Sequence, residues 1–125
     1  MLITDSTIFP SRWGTLGVAI GYSGFSPIKN YIGENDIFGK EMKVSKSNIA
    51  GGLASAAVLI MGEGDEQTPI AIIEDVPFVD FQTADPSPEE VSGYYVSPLE
   101  DEPFVPFFNS VPWLPGTRHI PKPQR

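Results

Sequence analysis

The sequence predicts an α+β fold with a mixed sheet, one main helix and an irregular, proline-rich C-terminal tail. Three observations carry this. Short apolar runs rich in β-branched residues, "LIT", "TLGVAIGY", "IKNYI" and "PIAIIE", are separated by turn formers. One stretch, Ile49–Ile60, repeats apolar residues at helical spacing. Ten of the twelve glycines fall in residues 1–64 and ten of the thirteen prolines in residues 77–125, which divides a body (1–76) from a tail (77–125).

The first strand is expected at Leu2–Thr4, ending at Asp5-Ser6. With no hairpin partner before it, it should pair with something distant or with another chain. A loop containing Pro10 and Gly14 leads to the second strand, Thr15–Tyr22. There Val18 and Ile20 alternate with small residues, the pattern left when another backbone approaches closely. Ile28–Ile32 reads as a third strand, followed by a turn at Gly33–Asp36. A helix should start near Ser45 or Ser47, either of which can cap free amides, and bury Ile49, Leu53, Ala56, Ala57 and Ile60. Gly51 and Gly52 weaken it by about 1 kcal/mol each relative to alanine, so close packing must compensate. Gly62 is placed to end the helix, and Pro69–Glu74 then reads as a largely buried strand. The tail holds too many aromatics for a plain linker, and is expected to pack on the body and fray after Gly116.

Bulk properties exclude several function classes. A net charge of -8 leaves no excess of Lys and Arg to bind a nucleic-acid backbone. Without cysteine there is no disulfide framework or thiolate metal site. No apolar run approaches the length of a bilayer span, and the N-terminal residues lack a signal-peptide pattern, so no membrane partner and a cytoplasmic location are expected.

Three groups of residues could carry chemistry. Asp5-Ser6 offers two hard oxygen donors suited to Mg²⁺ or Mn²⁺, though the same pair can simply close a turn. The stretch Met61–Thr68, "MGEGDEQT", joins carboxylates at Glu63, Asp65 and Glu66 to a glycine-rich loop whose amides could face phosphate oxygens. A solvated acidic turn has the same composition. It is neither a Walker loop, for it has no lysine and follows a helix, nor an EF-hand. Lys29, Lys40, Lys43 and Lys46 form a basic set able to neutralise phosphate or to make a solvated face. His119 is the only histidine and lies in the tail, which leaves no basis for a Ser-His-Asp or Cys-His arrangement or a histidine-based zinc site.

Taken in order, Asp5-Ser6 with Pro10 and Arg12, then "GVAIG", "DIFGK", "LASAA", "MGEG" and "TPIAIIED", resemble the later half of the γ-glutamyl ligases that add L-glutamate to coenzyme F420 precursors. The tail from "VPFVDFQTADPSPEE" onward is closer to the branch assigned to folate metabolism. The resemblance implies an unusual α+β fold in an intertwined dimer and GTP (or another NTP) with Mg²⁺ or Mn²⁺, often helped by K⁺. It also implies activation of a small-molecule acceptor's carboxylate as an acyl phosphate, which the amine of L-glutamate then attacks. By position, Asp5 matches the aspartate on one divalent ion, and Ser6 and Glu63 match ligands of a second. Met61, Gly62, Glu63, Gly64, Asp65, Glu66, Gln67 and Thr68 match the loop against the nucleotide. Arg12 is a candidate contact for phosphate or a substrate carboxylate.

The resemblance spans only about half of that catalytic domain. Gly51 replaces an acidic residue found in many members, and the family's N-terminal nucleotide segment and upstream metal-site aspartate have no counterpart. The expectation is therefore a truncated or split ligase half that needs a homodimer partner, a separate N-terminal half, or both. The alternative is a non-catalytic binding or assembly module on the same scaffold.

Overall fold

The computed structural model describes residues 1–95, 98 and 103–112. The chain divides into two units, Met1–Tyr94 and Tyr95–Arg125. The first contains β1 (Leu2–Ile8), β2 (Thr15–Tyr22), β3 (Ile28–Asn30), β4 (Lys46–Asn48) and α1 (Ile49–Met61); α2 (Pro88–Tyr95) runs to its boundary, and α3 (Val105–Phe108) lies in the second. The fold is α+β, but among the described residues the strands form two separate two-stranded antiparallel ribbons, β1-β2 and β3-β4, in place of one mixed sheet. The tail is less irregular than expected, since α2 and α3 both fall within it.

β1 pairs with its neighbour in sequence, so the distant or intermolecular partner expected for it is not needed. Asp5 faces Val18, Ser6 faces Gly17 and Ile8 faces Thr15, with a register slip between Ile3 and Thr4. The strand runs through Asp5 and Ser6 to Ile8, because β-branched Thr7 and Ile8 continue the ladder opposite Leu16 and Thr15. β1 is thus longer than expected, whereas the third strand is shorter, ending at Asn30. Pro69–Glu74 forms no strand; Ile70 and Ile72 are 82% and 83% exposed. A β-branched apolar run becomes a strand only where another strand offers its backbone groups, and among the described residues none pairs with this segment.

α1 lies across β2, and small residues set that contact. A Cβ on Gly17 would stand 2.7 Å from both the Ala54 carbonyl oxygen and the Val58 Cβ. The buried face of α1 is accordingly Ala50, Ala54, Ala57 and Val58. Of the expected face only Ala57 is buried; Ile49 and Leu53 are half-buried, Ala56 is exposed, and Ile60 is 71% exposed. Close approach selects the smallest side chains, and this overrides the ranking by hydrophobicity. Ser55 fastens the contact by donating to the Gly17 carbonyl at 2.8 Å. Ala19, Phe25, Ala50 and Ala54 form the centre of the core, with Leu2, Tyr22, Leu53, Val79 and Tyr94 packed around them.

The helix cap falls one residue after Ser47, on Asn48, whose Oδ1 accepts from the Gly51 amide at 2.8 Å and from the Tyr94 hydroxyl at 3.0 Å. Gly51 lies under this capping side chain, whereas Gly52 faces open space and has no packing to offset its cost. Tyr94 meets Tyr22 edge-on at 5.3 Å, and burial pushes both phenols above their usual pKa. Residues 80–82 add an extended stretch beside 24–26, with Ser26 donating to the Asp80 carbonyl and Gln82 to that of Gly24. Asn48→Ala removes the acceptor for two donors and should lower stability by about 1–2 kcal/mol. Ser45→Ala and Ser47→Ala should stay within about 0.5 kcal/mol in the same urea titration. Equal effects at all three positions would move the cap back to a serine.

Candidate functional site

The site grows from the end of α1. Gly62 closes the helix at φ +85°, its amide donating to the Val58 carbonyl at 2.9 Å. Thr68 returns to satisfy the Met61 carbonyl through its hydroxyl at 2.7 Å. Glu66 folds inward, Oε2 accepting from the Gly64 amide at 2.8 Å, and it lies so close over Gly62 that a Cβ there would overlap its carboxyl group. Gln67 takes a left-handed φ of +57°, which tightens the turn. A local network therefore holds Met61–Thr68 in shape, and Glu63 is left to point elsewhere.

Glu63 points at the β1-β2 ribbon. Ser6 Oγ donates to Glu63 Oε1 at 2.7 Å, and Thr15 Oγ1 donates to the same oxygen at 2.9 Å. The register explains the convergence. Ser6 stands opposite Gly17 and Ile8 opposite Thr15, so Ser6 and Thr15 lie on the ribbon face that also carries Gly17 and receives α1. Packing Gly17 on α1 thus brings the turn after α1 to the two hydroxyls.

Of the positions expected in the site, Ser6 and Glu63 are joined directly. Asp5 alternates to the other face of the strand, and its Oδ1 accepts from the Ser6 amide at 2.8 Å. Asp5, Ser6, Met61, Gly62, Gly64, Gln67 and Thr68 all line one opening of about 510 Å³. Asp65 is exposed. Arg12 is exposed in the 9–14 loop, with its backbone amide on the Phe9 carbonyl at 3.4 Å. Lys29 is half-buried, its ammonium 4.8 Å from the Tyr31 ring centre and 5.2 Å from that of Phe78; Lys40, Lys43 and Lys46 are exposed. His119, and the fraying expected after Gly116, lie outside the described residues.

Asp5, Ser6 and Glu63 present only oxygen donors, the kind that hard divalent ions take. Among the described residues no three His, Cys, Asp or Glu side chains gather around one point. An ion held by these residues would have to share one or two carboxylates with water and phosphate oxygens, because they do not make an all-protein cage. Thr15 is the residue that sequence reading missed. Its signal was a hydroxyl two positions before a glycine on a paired strand, which has meaning only once the register is known.

No helix among the described residues is long and apolar enough to cross a membrane. Residues 1–75 match the family described as "F420-0:Gamma-glutamyl ligase". The chain is 40% identical over 96 residues to the coenzyme F420:L-glutamate ligase of Halorubrum lacusprofundi, covering 77% of this chain and 38% of that protein. It is 45% identical over 80 residues to the enzyme of the same name from Methanocaldococcus jannaschii (62% and 32%), and 41% identical over 78 residues to that of Methanosarcina mazei (62% and 31%). The chain thus spans about a third of the length of the curated relatives it matches. The matched region includes both strands, the helix and the turn that bring Ser6, Thr15 and Glu63 together, and this chain belongs to the F420-0:gamma-glutamyl ligase family.

Proposed function

We propose that this chain supplies the metal- and phosphate-facing part of a γ-glutamyl ligase, one that joins L-glutamate to a coenzyme F420 precursor or a folate-like acceptor. The observation that carries this reading is the 2.7 Å hydrogen bond between Ser6 and Glu63, 57 positions apart, inside the family-matched region. In the proposed reaction an acceptor carboxylate oxygen attacks the γ-phosphoryl group of GTP or another NTP, releasing the nucleoside diphosphate and leaving an acyl phosphate. The amine of L-glutamate then attacks the acyl carbon, phosphate departs, the amine loses a proton and an amide remains. Ser6, Glu63 and Asp5 are the residues that would hold Mg²⁺ or Mn²⁺, and such an ion supplies positive charge against the phosphoryl oxygens. K⁺ is a further proposed activator. The Met61–Thr68 turn borders the nucleotide, and Arg12 meets phosphate or a carboxylate once substrate is bound.

The site is completed by an N-terminal portion, on the same polypeptide or a separate one, within a homodimer. Exposed apolar side chains support an assembly of this kind: Trp13, Ile37, Phe38, Ile70 and Ile72 are each at least 82% exposed. The same surface favours the second reading, an assembly module without catalysis. Thermal unfolding with GTP and Mn²⁺ tests both. The ligase reading expects a raised midpoint, strongly so when an N-terminal portion of a relative is added. No shift under either condition, together with a stable partner recovered independently of nucleotide, would establish the assembly module instead.

A further inference from the structure

The geometry points to Thr15 as a positioning residue that fixes Glu63 for a cation; the inference rests on the reading of Glu63 as a metal ligand. Two hydroxyls donate to one carboxylate oxygen, Ser6 at 2.7 Å and Thr15 at 2.9 Å, and among the described residues no hydrogen bond engages Oε2. The carboxylate is thus tethered on one side and open on the other. The two tethers differ in what else they can do. A hydroxyl has one hydrogen to donate and two lone pairs to offer, so Ser6 can keep its bond to Glu63 while turning its oxygen to a cation. Thr15 stands at the first position of β2, in register with Ile8. Its β-branched side chain is stiff about χ1, which makes it the firmer support. Without it, Glu63 at an exposed turn would depend on Ser6 alone, the residue whose oxygen the cation also attracts.

Outer partners of this kind typically change metal affinity by about 10- to 100-fold when removed. The test is Mn²⁺ binding to the full chain, read by the electron spin resonance signal of free Mn²⁺, for wild type, Thr15→Val, Thr15→Ser and Glu63→Gln. Thr15→Val should bind about tenfold more weakly, Thr15→Ser, which keeps the donor but not the β-branch, should recover most of that loss, and the metal-free melting midpoints of both should match wild type. Wild-type affinity in Thr15→Val with weakened binding in Glu63→Gln would overturn the role of Thr15 and leave the metal reading standing. Unchanged binding in Glu63→Gln would remove Glu63 as a ligand and the inference with it. A metal-free measurement tests the tether by itself: side-chain couplings of Glu63 in solution should report one rotamer in wild type and averaging in Thr15→Val. Identical couplings in the two proteins would overturn the inference whatever the metal does.

Discussion

Replacing Gly17 with alanine should cause a large loss of stability, about 1–3 kcal/mol or more. The added methyl would meet the Ala54 carbonyl oxygen and the Val58 side chain at 2.7 Å. One of these is helix backbone, which cannot swing aside as a surface side chain could, so α1 must lift from β2. Lifting it would also break the 2.8 Å bond from Ser55 to the Gly17 carbonyl and draw the turn after Met61 away from Ser6 and Thr15. For a unit of this size each kcal/mol corresponds to about 4–8 °C in the unfolding midpoint. Gly52→Ala is the internal control, since it sits in the same helix with nothing within 4 Å of the new methyl. There alanine should raise stability by about 0.5–1 kcal/mol, because it restricts the unfolded chain and suits a helix better. The opposite signs should appear in one pair of thermal melts, and a Gly17→Ala protein that melts with wild type would remove the close contact as the organiser of this unit.

Replacing Glu63 with alanine should abolish the response to metal while leaving the metal-free protein little changed. Glu63 is exposed, and water can replace it as acceptor for the Ser6 and Thr15 hydroxyls, so its own contribution to stability is small. A ligand present at a hundredfold excess over its Kd stabilises the folded state by about 2.7 kcal/mol. That increment is what the variant should lose when midpoints are compared with Mn²⁺ and without it. Glu63→Gln keeps an acceptor for both hydroxyls and removes the charge, so it should retain the local structure and still lose most of the response. A full Mn²⁺ shift in Glu63→Ala would move the ion to carboxylates elsewhere.

Much of this could be read in the linear chain. β2 was visible from Val18 and Ile20 alternating with small residues, and the reason given for that pattern, a backbone packed close by, is what Gly17 shows against Ala54 and Val58. The helix end at Gly62 was legible because a positive φ favours glycine. The order of Asp5-Ser6, "GVAIG", "LASAA" and "MGEG" was enough to place the chain in its family.

Other features depended on partners distant in sequence. Pro69–Glu74 has the composition of a strand, yet strand formation is a property of a pair, and among the described residues no neighbour receives it. The cap fell to Asn48 because its side chain accepts the Gly51 amide and the Tyr94 hydroxyl together, and Tyr94 is 46 residues away. Ile60 suits a buried helical position by hydrophobicity, but contact at the distance Gly17 allows admits Ala54 and Val58 and turns Ile60 outward. The site divides in the same way. Local composition marked Asp5, Ser6 and Glu63 as oxygen donors, a property of single side chains. Which of them meet, and that Thr15 joins them, was decided by a strand register and a helix docking that link residues up to 57 positions apart.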